Sequence, residues 1–157
     1  MDSADLERQY LSLCREVHPD YFQSSGTIEQ RASLGLAAGL NESYTILRDP
    51  FHRAEYLLQL EGGPTAAELK EMSKAFLQEM LELRMDIEDI KSSPESPEFL
   101  AMAKKLAQRR ENLLTQVSLR FGRLTEDPSR DQLLKEVRQL LNATKYVQGL
   151  IRDLHGD

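Results

Sequence analysis

Residues 66–91 read AAELKEMSKAFLQEMLELRMDIEDIK. It is rich in Ala, Leu, Met, Glu and Lys, the residue types that favour helices. On a helical wheel, a complete apolar stripe lies within about 40° of Phe76, made of Met80, Leu83, Ile87 and Ile90. The stretch therefore predicts one long amphipathic helix over 66–91.

The remaining chain is predicted to be helical as well. Two more long helices are expected, separated from the first and from each other by short turns, and three shorter helices precede them. Long helices joined by short turns are typical of an antiparallel three-helix bundle. We place the domain boundary at Gly62-Gly63-Pro64, which gives domains at 1–63 and 64–157. The predicted helices besides 66–91 are 4–17, 28–47, 53–60, 98–123 and 129–154.

The first two helices carry apolar stripes at helical spacing. They are predicted as Leu6, Tyr10, Leu13 and Val17 in the first helix, and Leu36, Leu40, Tyr44 and Leu47 in the second. Arg8 and Arg15 lie about 180–200° from Leu6 on the first helix. Both cations are therefore expected on its solvent face.

Composition excludes several classes of protein. The 157 residues include 6% aromatics and no Trp, which disfavours sheets and leaves an all-α fold. A net charge of −6 disfavours nucleic-acid binding. The longest apolar run, 34–40, is far below the roughly 20 residues that span a bilayer, so no membrane association is expected. The single cysteine, Cys14, indicates a reduced, cytoplasmic protein.

No catalytic or metal-binding pattern is present in the sequence. His18, His52 and His155 lie on different predicted elements without metal-ligand spacing. Cys14 follows Leu13 on a helix, where a partly buried, inert thiol is expected. We therefore expect no enzyme, no metal and no cofactor.

The tripeptide His18-Pro19-Asp20 lies at the junction of the first two predicted helices. Proline fixes one backbone dihedral, and aspartate can accept hydrogen bonds from the loop or from an arginine of a partner. Two interpretations are equally open from these residues alone. The tripeptide is either a rigid polar tip that a partner contacts or an ordinary turn that ends a helix.

Several further motifs extend this pattern and together resemble a known family. The tripeptide between two such helices is similar to a J-domain, as are the two motifs that follow it. The later motifs resemble the HscB family, the J-domain co-chaperones of iron–sulfur cluster assembly. The motifs are Leu40-Asn41-Glu42-Ser43-Tyr44, Leu47-Arg48-Asp49-Pro50, Arg53-Ala54-Glu55-Tyr56-Leu57-Leu58, Phe76-Leu77, Glu79 and Leu81-Glu82-Leu83-Arg84.

The resemblance implies an adaptor with two partners. One is the ATPase domain of an HscA-type or DnaK-type chaperone, whose ATP hydrolysis is triggered by residues matching His18, Pro19, Asp20, Arg8 and Arg15. The other is the scaffold protein IscU, which the resemblance assigns to residues of the first bundle helix. The corresponding positions here are Leu77, Gln78, Leu81, Glu82 and Met85.

Three points stay open in the sequence. Leu77, Leu81 and Met85 form a second apolar face on the 66–91 helix, which periodicity alone slightly favours as a wider core and the resemblance favours as a partner surface. The family's first J-domain helix is missing before the first predicted helix. The alternatives in function are a J-domain co-chaperone with a different client and a purely structural helical protein.

Overall fold

The computed structural model describes residues 2–124 and 129–156. Within these residues the chain contains helices and no strand, which confirms the all-α prediction. A short 3-10 helix, Pro19–Phe22, follows the first α-helix. The predicted turn before the last helix falls largely on 125–128, outside the described residues. The α-helices are α1 (Ser3–Val17), α2 (Thr27–Arg48), α3 (Pro50–Leu60), α4 (Lys74–Ile90), α5 (Pro97–Arg123) and α6 (Arg130–His155).

The chain forms two compact units, Met1–Arg53 and Ala54–Asp157. The division lies inside α3, ahead of the glycine turn at which the sequence places the domain boundary. The boundary at 63 stays a prediction. Absence of the first J-domain helix also stays a prediction.

The first unit is built on an antiparallel pair, α1 and α2. The end of α1 meets the start of α2, where the Ser33 hydroxyl donates to the Val17 carbonyl over 2.7 Å. Further along, the Tyr10 hydroxyl donates to Asn41 Oδ1 over 2.7 Å. The Tyr10 ring also stacks on Tyr44 with ring centroids 3.9 Å apart. These contacts close a hairpin whose connecting loop carries the tripeptide.

The helix faces used in this hairpin differ from the predicted stripes at two positions. Leu13 and Leu36 are exposed, so their assignment to the stripes was wrong. In place of these two leucines, Cys14 on α1 and Ala37 on α2 are half-buried, and Ala37 lies one turn after the buried Ser33. Close pairing of the two helices favours the smaller side chains, and steps of four from Tyr10 to Cys14 and from Ser33 to Ala37 keep them on one face.

The short helix α3 begins earlier than predicted. The Asp49 carboxylate accepts the backbone N–H groups of Phe51 and His52, each over 3.0 Å, and so caps the helix. Pro50 is the first helical residue, where its missing N–H costs nothing. The Asp49-Pro50 pair that ends α2 therefore also starts α3, three residues before the predicted start at 53.

The glycine turn closes α3 as predicted. Gly62 has a φ of 73°, a left-handed conformation that glycine adopts without strain. The Gly63 N–H donates to the Leu58 carbonyl over 2.9 Å and the Gly62 N–H to the Gln59 carbonyl over 3.1 Å. This pattern is a Schellman motif.

The helix predicted over 66–91 is shorter than expected, because α4 begins only at Lys74. Thr65 and Glu68 close a single turn instead, in which the Glu68 carboxylate accepts the Thr65 N–H over 2.8 Å. This contact lowers the pKa of Glu68 from its ordinary value. The Leu69 carbonyl then accepts a hydrogen bond from Asn142 Nδ2 over 2.8 Å. Residues 66–73 are thus held by contacts that a continuous helix could not make.

The second unit contains the predicted three-helix bundle. Phe76 packs on Tyr146, and Arg84 pairs with Asp153 further along, so α4 and α6 run parallel. Between α5 and α6 the order reverses, since Phe99 packs on His155 whereas Arg120 pairs with Glu136. α5 therefore runs antiparallel to both. The core contains Met80, Leu83, Ile87, Phe99, Leu106, Val147, Leu150 and Leu154.

An ion pair joins α4 to α5. Arg109 Nη2 donates to Glu79 Oε2 over 2.8 Å, and the guanidinium lies 5.9 Å from the centroid of the Phe76 ring. Hydrogen bonding to Arg109 lowers the pKa of Glu79 from its ordinary value, and the same bond raises the pKa of Arg109. Sequence analysis assigned no role to Arg109, and in the structure its contact with Glu79 joins α4 to α5 at the edge of the bundle.

A second ion pair lies at the centre of α6. Arg138 is only 3% exposed, and its guanidinium makes a bidentate contact with the Glu55 carboxylate of α3. The hydrogen bond from Nη1 to Oε2 is 2.7 Å long. Arg138 Nε has no partner. A buried charge of this kind is stabilised only while its counter-ion is in place.

We predict that Glu55→Gln costs about 3–5 kcal/mol of unfolding free energy, because the Arg138 charge is then left buried without its partner. The matched variant Glu61→Gln removes the counter-ion of the more exposed Arg130, which keeps its 2.9 Å bond to the Glu61 carbonyl. It should cost less than about 1 kcal/mol. Urea unfolding of both variants measures the difference, and equal losses would contradict the role of the Arg138 pair.

Candidate functional site

The loop between α1 and α2, residues 18–26, is called the tip loop below. His18 ends α1, and its Nδ1 accepts the backbone N–H of Asp20 over 3.2 Å. Pro19 is the first residue of the 3-10 helix, and the Tyr21 N–H donates back to the His18 carbonyl over 3.1 Å. The tripeptide is therefore a hydrogen-bonded turn with a fixed backbone.

The His18 and Asp20 side chains point to solvent, whereas Pro19 is half-buried and the loop stays anchored. The His18 and Asp20 side chains are 53% and 70% exposed, with His18 Nδ1 lying 3.6 Å from Asp20 Oδ2. Gln23 Nε2 donates to Asp20 Oδ1 over 3.2 Å. Gln30 Nε2, on α2, donates to the carbonyls of Gln23 and Ser25. The Asp20 carboxylate is thus oriented without being buried.

Gln23 and Gln30 have positioning roles that the sequence analysis did not find. The signal for Gln23 is its spacing, because residue i+3 in a tight helical turn lies over residue i. Gln30 carries no such local signal, since its contacts depend on how the loop folds back on α2.

Arg8 and Arg15 lie on the exposed side of α1, as predicted. Arg15 is one helical turn before the tip loop. Arg8 lies about 15 Å from the tip loop along the helix axis. Arg8 Nη2 pairs with Asp5 Oδ1 over 3.0 Å, with both side chains at least half exposed. Such exposed pairs are worth about 0–1 kcal/mol, so Arg8 can exchange this partner for another at little cost.

The second candidate surface is one side of α4, called the α4 face and made of Leu77, Gln78, Leu81, Glu82 and Met85. The three apolar members are 41%, 60% and 63% exposed in chain order. Gln78 Nε2 donates to Glu82 Oε1 over 3.0 Å, which links the polar members along the helix. The structure therefore brings all of these residues together on one exposed surface.

This exposure decides between the two interpretations of the second apolar stripe. Met80, Leu83 and Ile87 are buried in the bundle, whereas the residues about 100° further around the helix are not. α5 and α6 cover only one side of α4. The wider core that periodicity slightly favoured is therefore wrong, and the apolar surface is left open.

The described part of the chain lacks the features of two other classes of site. None of its helices combines the length and the apolar character needed to cross a membrane. Across residues 2–124 and 129–156, no cluster of three or more His, Cys, Asp or Glu side chains is arranged to hold a metal ion.

Comparison with known proteins gives the family. A model described as the HSCB C-terminal oligomerisation domain matches residues 72–155, more than half of the chain. The co-chaperone protein HscB homolog of Burkholderia thailandensis is 34% identical over 142 residues, which are 90% of this chain and 79% of that protein. This chain belongs to the HscB co-chaperone family. The resemblance inferred from the motifs is confirmed.

Solved structures of HscB proteins share the fold. The chaperone HscB from Vibrio cholerae matches with a TM-score of 0.81 at 25% identity, over 99% of this chain and 88% of the other. The crystal structure of human co-chaperone protein HscB also gives a TM-score of 0.81, at 24% identity, over 98% of this chain and 73% of the other. As an HscB co-chaperone, the chain has a chaperone as its partner.

We predict that truncating the α4 face leaves the fold stable. Leu77→Ala with Leu81→Ala should cost less than about 1 kcal/mol of unfolding free energy, since exposed apolar side chains gain little on folding. Met80→Ala or Leu83→Ala, one turn away but buried, should each cost about 2–5 kcal/mol. Denaturant unfolding compares them. A loss of several kcal/mol from the double variant would show that the two leucines belong to the core.

Proposed function

We propose that this HscB protein stimulates ATP hydrolysis by an HscA-type or DnaK-type chaperone and delivers the iron–sulfur scaffold IscU to it. The tip loop and the cations of α1 contact the chaperone, and the α4 face binds the scaffold. The protein acts as an adaptor in the cytoplasm and performs no chemistry itself. The observation that carries the proposal is the exposed, hydrogen-bonded His18-Pro19-Asp20 turn in a chain of this family.

The geometry of the tip loop supports a docking role. Its backbone is fixed by Pro19 and by the bond between His18 and the Asp20 N–H, so little conformational entropy is lost when a partner binds. Asp20 Oδ1 is held by Gln23 while the carboxylate stays largely open to solvent. A carboxylate presented in this way can form a two-pronged contact with an arginine of the partner.

The cations of α1 support the same contact through their electrostatics. Arg15 makes no ion pair within the described residues, and the Arg8 pair with Asp5 is exposed. Arg8 and Arg15 are two exposed cations on a helix that also carries the exposed Glu7 and Glu16, and they can attract acidic groups of the partner as individual charges. Charges at the rim of an interface mainly set the association rate. We therefore assign Arg8 and Arg15 to guiding the encounter.

The α4 face has the composition of a protein-binding surface. Exposed leucine and methionine side chains are its centre, and Glu82 with Gln78 form one polar edge. Interfaces commonly combine an apolar centre with a polar rim. The rigid bundle beneath holds these side chains on a straight helix, which suits a folded or helical partner segment.

We predict that Asp20→Asn and His18→Gln each abolish stimulation of the chaperone ATPase while melting temperature and helicity stay nearly unchanged. Both side chains are exposed, so their loss affects the partner and not the fold. Steady-state ATP hydrolysis by purified chaperone, with and without each variant, measures the effect.

Glu42→Gln is the matched control, because it removes one exposed carboxylate from α2 and should stimulate like the unaltered protein. Arg8→Ala with Arg15→Ala should reduce stimulation more at low salt than at high salt, since screening weakens the contribution of exposed charges. Full stimulation by Asp20→Asn or His18→Gln would refute docking through the tip loop.

We predict that Leu77→Ala with Leu81→Ala weakens IscU binding by at least about tenfold, a loss common for central interface residues. Glu82→Ala should give a smaller loss. Isothermal titration of IscU into each variant measures the affinity.

Leu100→Ala with Leu119→Ala is the matched control, because these leucines of α5 are about as exposed as Leu81. This control should bind like the unaltered protein. If the α4 variant also binds IscU normally, the scaffold site lies elsewhere. If no form of the chain binds IscU while ATPase stimulation persists, the client is a different protein.

A further inference from the structure

A cavity of about 380 Å³ opens between α4, α6 and the segment that precedes α4. Ala66, Gly149 and the Tyr146 ring form its small and apolar parts. Asn142 lies in its wall, with Nδ2 donating to the Leu69 carbonyl. The volume is within the range of binding pockets, about 300–1,000 Å³, and accommodates one or two side chains of a peptide.

The charged residues that line this cavity are all basic. They are Lys70, Arg84, Lys145 and Arg152, and no carboxylate lines it. Arg84 is paired with Asp153 over 2.8 Å, whereas the other three make no ion pair within the described residues. Because the whole chain is acidic, three unpaired cations in one wall mark this cavity as a site for negative charge.

The arrangement of the cations indicates the kind of anion. Lys145 and Arg152 are seven residues apart on α6, about 10 Å along the axis, while Lys70 and Arg84 lie on other segments. A single phosphate is held by donors that converge on one point. Cations spread over about 10 Å match carboxylates spaced along an extended peptide, which rises about 3.3 Å per residue.

The cavity continues from the α4 face. Arg84 is three residues after Leu81 and seven after Leu77, so the three lie on one side of α4. Tyr146 is partly exposed, packs edge-on against Phe76 and makes no side-chain hydrogen bond within the described residues. The cavity therefore borders the α4 face, with Tyr146 level with the start of α4 and Arg84 about two turns further along it.

We infer that this cavity binds an acidic segment of the protein held on the α4 face, with an apolar or aromatic side chain packed against Tyr146 and carboxylates on Lys70, Lys145 and Arg152. The inference rests on the proposed function of the α4 face. It adds a basic subsite to an interface whose centre is apolar, and this subsite requires an acidic sequence in the partner.

The first test is titration of the scaffold protein into the full chain carrying Lys70→Gln, Lys145→Gln and Arg152→Gln. We expect affinity to fall about tenfold at low salt and to depend less on salt than in the unaltered protein. The control, Lys104→Gln with Lys105→Gln and Lys135→Gln, makes the same change in net charge away from the cavity and should bind normally. Thermal melts should show both triple variants folded, since neither loses a buried side chain.

The outcomes separate this inference from the proposed function. If the cavity variant binds the scaffold normally while Leu77→Ala with Leu81→Ala loses binding, the cavity inference is wrong and the α4 face stands. If Leu77→Ala with Leu81→Ala binds normally, the scaffold role of the α4 face fails and the inference fails with it.

A second test uses a labelled peptide that has one phenylalanine flanked by glutamates, and its glutamine-flanked counterpart. We expect the unaltered chain to bind the acidic peptide and not the glutamine-flanked peptide. Binding of the acidic peptide should be lost in the cavity variant. Competition with inorganic phosphate distinguishes a peptide subsite from a small-anion site. Displacement of the peptide by phosphate at equal concentration would overturn the inference.

Discussion

Arg138 lies almost fully buried in the middle of α6, and Glu55 of α3 supplies the negative charge that makes its burial tolerable. Four residues later, Asn142 holds the Leu69 carbonyl. These two polar contacts from one helix fix residues 54–69 against the bundle. The start of α4, the position of Lys70 and the wall of the basic cavity all depend on that attachment. The Arg138 ion pair holds α3, and the Asn142 hydrogen bond holds the segment that leads to the cavity.

The two units differ in how they are held together. The second unit buries long apolar side chains along α4, α5 and α6. In the first unit α1 has no buried residue, and among α2 residues only Ser33 is buried. Its order comes from stacking of Tyr10 on Tyr44 and from hydrogen bonds between the helices and within the tip loop. Regions with few buried apolar contacts open more readily than a packed core. The first unit, which carries the tip loop, is therefore the softer part of the molecule, and the α4 face lies on the stiffer part.

Much of this architecture could be predicted from the sequence, because helical periodicity and the glycines and prolines that end helices are local signals. Gly62 and Gly63 end α3 as expected, and the core stripe from Met80 to Ile87 is buried. The errors arise where a distant partner decides the outcome. No pattern within residues 66–73 predicts that Asn142 donates a hydrogen bond to the Leu69 carbonyl. Equally, the exposure of Leu81 depends on where α5 and α6 lie, which periodicity does not encode.

The candidate sites show the same limit. The tripeptide was visible as a motif, but Gln30 acts on the tip loop only through the folded hairpin. The basic cavity was invisible, because its cations come from three segments that are far apart in the chain. A single lysine or arginine on each segment carries no signal in the sequence, and the cations form a cluster only once the chain has folded.

The buried core residues of α4 and the exposed α4 face are interleaved along one helix, so the length of this helix is constrained. Core residues and binding residues alternate along the same few turns, about 100° apart around the axis. A single inserted or deleted residue within Lys74–Ile90 would rotate everything after it by that same angle, turning binding side chains inward and core side chains outward. Substitutions at the exposed positions leave the bundle intact, whereas a change of length does not. The turn at 91–96 can change in length without rotating either face of α4, whereas an insertion between the Ser73 cap and Ile90 cannot be accommodated in this way.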